Sequence, residues 1–123
     1  MDKVLTINDW WDGPVSGLAT YNEVICIYVR VFDIPTDEYE DEYFLTPIDD
    51  AEVKMIMEEW NEWCTACSKN DLGSFYKKYL DHHSINLVLE KSSEKNKYRK
   101  KAGFTGSIGK GWIPVDFRVE WRD

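Results

Sequence analysis

Val24–Phe32, VICIYVRVF, is β-branched and aromatic almost throughout, and it reads as a central strand with little solvent exposure. The sheet is built outward from it. On its N-terminal side, Gly17–Tyr21 is separated from it by only Asn22 and Glu23, so the two runs are expected to form a β-hairpin. Val4–Ile7 is a candidate short strand further upstream. Between them, Asn8–Gly17 (NDWWDGPVSG) is dense in residues that turns select for their backbone freedom or side-chain hydrogen bonding. On the other side, Tyr43–Ile48 (YFLTPI) gives a further strand, which Pro47 ends because it has no N–H for a ladder. Ile113–Trp121 (IPVDFRVEW) closes the pattern by alternation. Ile113, Val115, Phe117, Val119 and Trp121 share one face, as in a half-buried antiparallel strand.

Helical signals fill the interval. Asp49 suits an N-cap, with Glu52 in the capping-box position. Val53, Ile56, Met57, Trp60, Trp63, Cys64 and Cys67 then follow at helical spacing, and Asn70–Gly73 stops the run. Leu72, Phe75, Tyr76, Tyr79, Leu80 and His83 predict a second helix. Ile85–Leu89 fits either a helix or a strand. Ser92–Lys101 reads as a solvated helical end or a loop, and the glycines between 103 and 111 are expected to break regular structure. Strands at both ends with helices between them predict an α+β domain spanning residues 1–123. Its antiparallel sheet would have about four to six strands, N- and C-terminal strands adjacent, with two or three helices on one face.

At 123 residues the chain can bury one core without metal or disulfide support. Its 43% apolar content favours a folded domain over disorder, and six Trp and seven Tyr suit both a core and an interface. The N-terminus shows no signal peptide, and no apolar run approaches the roughly 18 residues of a membrane span. Three cysteines, an odd number, fit a reducing compartment, so a cytoplasmic protein without a membrane partner is expected. The net charge of −8 argues against nucleic acid as a partner.

That charge is unevenly distributed. Residues 1–62 hold 16 acids and three bases, whereas residues 63–123 hold 12 bases and seven acids. The acidic half peaks over Asp33–Asp50, with eight carboxylates and no base; the basic half peaks over Lys91–Lys101, with six bases and one acid. Such a split lets unlike segments meet, within the molecule or across an interface.

Three places could carry function. Asp37–Tyr43 (DEYEDEY) lacks the glycine and oxygen spacing of a calcium loop. It reads as a solvated acidic loop or as a docking surface anchored on Tyr39 and Tyr43, with Glu38, Glu40, Asp41 and Glu42 around them. Asp9-Trp10-Trp11-Asp12 sets two tryptophans side by side between carboxylates. Successive side chains of an extended backbone point to opposite faces, so both indoles cannot enter the core. Cys64-x-x-Cys67 with His82 and His83 offers a metal or redox reading. It sits near a helix C-terminus on an apolar stripe, which suits buried structural thiols better than a reactive pair.

Thr6–Ala19 (T-x-x-D-W-W-D-G-P-x-S-G-x-A) and Phe32–Pro47 (F-D-x-x-x-D-E-Y-x-D-E-Y-x-L-T-P) resemble the motifs of an uncharacterised family of small bacterial proteins. The resemblance implies bacterial origin and cytoplasmic location, and it brings no activity with it. On the residues, a non-enzymatic interaction protein is expected, with no cofactor. An immunity-type or regulatory protein binding a basic partner would fit. Alternatives are a small metal-binding or redox enzyme using Cys64/Cys67 with His82/His83, and a structural homodimer that self-associates through its oppositely charged halves.

Overall fold

The structure is a computed structural model that describes residues 1–79 and 84–123. In chain order its elements are β1 (Asp2–Lys3), β2 (Asp9–Trp10), β3 (Pro14–Tyr21), β4 (Val24–Asp33), β5 (Glu38–Pro47), α1 (Asp50–Lys69), α2 (Leu72–Tyr79), α3 (Ser84–Lys91), β6 (Tyr98–Ile108), a 3-10 turn (Lys110–Trp112) and β7 (Pro114–Arg122). The described strands make one antiparallel sheet in the order β1-β7-β6-β5-β4-β3-β2. The α+β class and the adjacency of the terminal strands are as expected. The sheet has seven strands rather than four to six.

The sheet curls until its edges meet. β1 pairs with β7, and the chain then crosses to β3, where Val4 bridges Ala19. The Leu5 N–H donates to Leu18 O at 2.8 Å, and the Asn8 N–H donates to Ser16 O at 2.8 Å. The expected strand Val4–Ile7 is therefore the seam of the curl, flanked by two short strands. It has neighbours on both sides and no free edge, which is how a curled sheet avoids edge pairing with other chains.

Closure separates two apolar clusters. The concave interior holds Val4, Ala19, Tyr28, Tyr43, Leu45 and Val119, with Phe104 and Trp121 packed against them. The convex face of β3 and β4 presents Leu18 and Ile27 to Ile56 of α1 and to Ile85 and Val88 of α3. A strand covered on both faces has no need of polar alternation, and VICIYVRVF shows that pattern. Between β3 and β4, Asn22 and Glu23 both have positive φ, 49° and 65°, as a two-residue hairpin turn requires.

The first helix starts as its sequence dictates. The Glu52 N–H donates to Asp49 Oδ1 at 2.8 Å, and the Asp49 N–H donates to Glu52 Oε1 at 3.0 Å. Asn70 caps the far end in the left-handed conformation. Ile85–Leu89 falls within α3, which settles it as helix. Leu80, His82 and His83 lie outside the described residues.

Two expectations need correction. Asp37–Tyr43 is not a loop: from Glu38 onward it is β5, paired with β4 along its length and with β6 over Glu42–Leu45, because Tyr43 and Leu45 face the interior while Glu40 and Glu42 turn outward. Ser92–Lys97 is a loop as expected, but Tyr98–Lys101 and the first glycines after it are not a break, since β6 runs from Tyr98 through Gly103 and Gly106 to Ile108. A Cβ at Gly106 would lie 2.2 Å from Asp116 O, and its φ of +114° needs glycine, so it marks a bulge in the ladder rather than a break. The same irregularity leaves Val115 exposed, off the expected inward face.

Three interior acids predict how stability responds to alkali. Burial, with Asp2 adding to it, pushes the Cys26 thiol up to about 11. Burial pushes the Tyr43 phenol up to about 12 against a smaller opposing pull from Arg30. The Tyr28 phenol is also raised well above its ordinary value, by burial and by Tyr43. Each group keeps its proton in the folded state at a pH where the unfolded chain has lost it. Stability is therefore full below the unfolded values of about 9 to 10 and falls as pH rises toward 12. Urea midpoints measured across that range should decline steadily. Tyr43→Phe, whatever its starting stability, should give a shallower slope.

Candidate functional site

Both acidic–aromatic motifs come to one end of the sheet, and Arg30 on β4 joins them. Its Nε donates to Glu40 O at 2.6 Å, its Nη1 reaches Trp11 O at 3.4 Å, and its guanidinium lies 5.6 Å from the Tyr39 ring centroid. The Phe32 ring meets the Tyr39 ring edge-on at 5.0 Å. A turn and a hairpin end separated by some twenty residues thus form one surface. Arg30, Phe32 and Ile34 lie outside both acidic–aromatic motifs, Asp9–Asp12 and Asp37–Tyr43, and an arginine in a strand pattern and hydrophobics at its end carry no local signal of this kind.

The expected division of Trp10 from Trp11 is present. Asp12 (φ 51°) and Gly13 (φ 126°) turn the chain tightly, and the Trp11 N–H donates to Gly13 O at 2.9 Å. Trp11 is 69% exposed on the outer surface. Trp10 packs tilted against Trp112 at 6.5 Å and lines a cavity. Ile34, at 81%, is the most exposed large hydrophobic among the described residues, and Phe32 is also exposed.

The carboxylates of β5 divide in a way their sequence did not show. Arg99 of β6 donates from Nη2 to Glu40 Oε2 at 2.8 Å and from Nε to Glu42 Oε2, while lying over the Phe44 ring. These two acids are held within the molecule. Hydrogen bonding to Glu42, and the field of both carboxylates, raises the Arg99 pKa above its usual value. Among the described residues Asp12, Asp37, Glu38 and Asp41 form no ion pair, and all four are exposed. Tyr43, expected as a surface anchor, is 4% exposed and faces the interior. Of the expected site residues, Trp11 and Tyr39 are joined through Arg30, with Asp12 and Glu38 exposed next to them in the chain, Asp9 and Trp10 line the cavity, and Tyr43 joins the core.

The cavity lies where the turn, α1, α2 and the 3-10 turn meet, and has a volume of about 280 Å³. Its walls are Trp10, Trp60, Trp63, Phe75, Tyr76 and Trp112. Four of the six tryptophans of the chain are gathered there. Asn8, Asp9 and Glu59 also line it. Glu59 is 2% exposed, and its Oε2 accepts from the Ser84 N–H at 3.0 Å. The Trp63 Nε1–H donates to Gly111 O at 2.8 Å, which fixes the 3-10 turn over the opening. The tryptophan count alone hinted at this site; the helical spacing of Trp60 and Trp63 read simply as core.

Cys64 and Cys67 are free and partly buried on α1. Burial, with Cys67 adding to it, raises the Cys64 thiol, which disfavours the nucleophilic thiolate. Cys67 packs against Gly111, where an added Cβ would lie 2.6 Å from its sulfur. Among the described residues no three His, Cys, Asp or Glu side chains come together as a metal site would require, and His82 and His83 lie outside them. Among the described residues no helix is long and apolar enough to cross a membrane.

The fold and surfaces define a small α+β protein with a curled seven-stranded sheet, an acidic–aromatic face and an aromatic cavity. No family model, curated protein or solved structure matches the chain.

Proposed function

We propose that this is a non-enzymatic interaction protein that docks a basic protein on the face formed by Trp11 and the β4–β5 hairpin end. The observation that carries the reading is Arg30. By holding the DWWDGP turn against the hairpin, it sets Trp11, Phe32 and Tyr39 beside Asp12, Asp37 and Glu38, carboxylates that Arg99 does not take up. Exposed aromatics supply anchors that bury well at low entropic cost, and a carboxylate rim raises the association rate with a cationic surface. An immunity-type or regulatory role, in which a small acidic protein masks a basic one, fits this arrangement.

Self-association through the charged halves has weaker support, because three of the six bases of the run are engaged within the chain. Arg99 pairs with Glu40 and Glu42, Lys97 with Glu94, and Lys100 with Asp123. Mass measured across a salt series separates the two readings, since an electrostatic dimer should dissociate as salt rises.

The docking face is tested by capture from the native source with wild-type protein, Trp11→Ser, and the pair Asp37→Lys with Glu38→Lys. A basic protein should be retained at low salt and released at high salt. Each variant should weaken its binding by about tenfold or more. Retention unchanged by the charge reversals and indifferent to salt would sink the proposal.

A further inference from the structure

We infer that the aromatic cavity is a binding site for a small alkylated ammonium cation. The site is separate from the outer docking face, and its occupation does not depend on it.

Three observations support this. The first is composition: six aromatic side chains enclose about 280 Å³, below the usual range for drug-sized ligands and sufficient for a compact group. The second is charge. Asp9 and Asn8 line the cavity beside the aromatic rings, and among its described lining residues there is no lysine or arginine. A cavity meant for an anion or a neutral hydrocarbon gains nothing from that set. A cation gains from the negative ring faces and from the Asp9 carboxylate together. The third is how the wall is held. Trp112 has φ of +57°, a left-handed conformation that a bulky residue rarely adopts, and yet stays 47% exposed. Gly111 beside it is fixed from below by the Trp63 indole and Cys67. The backbone strain there keeps an indole at the mouth of the cavity, opposite Trp10.

Alkylation matters because a bare ammonium retains a strong hydration shell that only one or two carboxylates could replace. A quaternary or trimethylated ammonium is weakly hydrated, spreads its charge over methyl groups and fills aromatic walls, and aromatic cages recognise such ions. The group could belong to a free solute or to a trimethylated lysine side chain; the chemistry at the cavity is the same.

The test is titration of the full chain with choline and with its neutral isostere 3,3-dimethylbutan-1-ol, read by tryptophan fluorescence and by calorimetry. Choline should bind saturably, and the alcohol about tenfold or more weaker. Trp112→Ala, at a half-exposed position, should weaken choline binding by a similar factor at unchanged melting temperature. Trp11→Ser should leave it intact. Tighter binding of a trimethyllysine peptide than of choline would place the natural source in a protein, and the reverse would place it in a free solute. Equal binding of choline and the alcohol would overturn the inference, as would saturable binding of neither.

Discussion

Gly17→Ala should destabilise the protein by roughly 3–5 kcal/mol, with a lowered urea midpoint and an unchanged slope. Gly17 sits where the seam of the curled sheet crosses β3. A Cβ there would lie 2.2 Å from Thr6 O, 2.6 Å from the Tyr28 hydroxyl and 2.9 Å from the Thr6 carbonyl carbon. The nearest atom belongs to backbone, so no side-chain rotation relieves the contact. The seam must move, and its buried hydrogen bonds move with it. The Tyr28 hydroxyl donates to Thr6 O at 2.8 Å, and the Leu18 N–H donates to Thr6 Oγ1 at 2.9 Å; Thr6 is fully buried. Overpacking alone costs about 1–3 kcal/mol, and an orphaned buried polar group adds a similar amount. Adding Tyr28→Phe should not rescue the variant, because the carbonyl contact remains. Gly73→Ala gives the opposite sign. It lies in α2 with only the Asp71 carboxylate near, at 4.0 Å, and should gain up to about 1 kcal/mol. Hydrogen exchange at Leu5, Thr6 and Asn8 reports whether the seam has opened. Comparable melting of the two glycine variants would show that the seam does not close the sheet.

What the sequence made legible follows the range of the interaction. The capping box at Asp49 and Glu52, the hairpin at Asn22–Glu23 and the stop at Pro47 depend on residues within a few positions of one another, and each appears where expected. The strand character of Glu38–Pro47 was present as alternation of Tyr39, Tyr43 and Leu45, but the density of carboxylates suggested solvent instead. What reconciles acids with a central strand is Arg99, 57 residues from Glu42 and 59 from Glu40, and no local pattern announces that partner. The curl is long-range for the same reason: it is made by Val4 meeting Ala19 and by Trp121 Nε1 donating to Thr20 O at 3.0 Å. The cavity takes its walls from the first turn, from α1 and α2, and from the 3-10 turn near the C-terminus. Each contributes residues that in isolation look like ordinary core.

Tyr43→Ala and Tyr39→Ala should give opposite outcomes, although the two tyrosines lie four residues apart in the same acidic motif. Tyr43 packs its ring at 5.9 Å from Tyr28, 5.6 Å from Phe104 and 5.9 Å from Trp121, and its hydroxyl donates to Pro14 O. Truncation removes a buried aromatic at the centre of the interior cluster and leaves a cavity that the closed sheet cannot collapse to fill. The expected loss is about 3–5 kcal/mol, or a melting temperature lower by roughly 10–20 °C for a domain of this size. Tyr39 is half-buried against Phe32 and Arg30 at the rim. Its truncation should cost about 1 kcal/mol or less in stability, while weakening capture of a basic partner, because it contributes to the face rather than to the core. Tyr43→Phe keeps the ring and loses only the hydroxyl. It should fall between them in stability, by about 1–2 kcal/mol, and leave partner binding unchanged. The three variants separate the two halves of DEYEDEY. If Tyr39→Ala unfolded the protein as readily as Tyr43→Ala, the docking face would be part of the core and the aromatic anchors would have to be sought elsewhere. If Tyr43→Phe alone abolished capture at full stability, the interior hydroxyl would be acting through Pro14 on the DWWDGP turn, and the face would extend deeper than Arg30 places it.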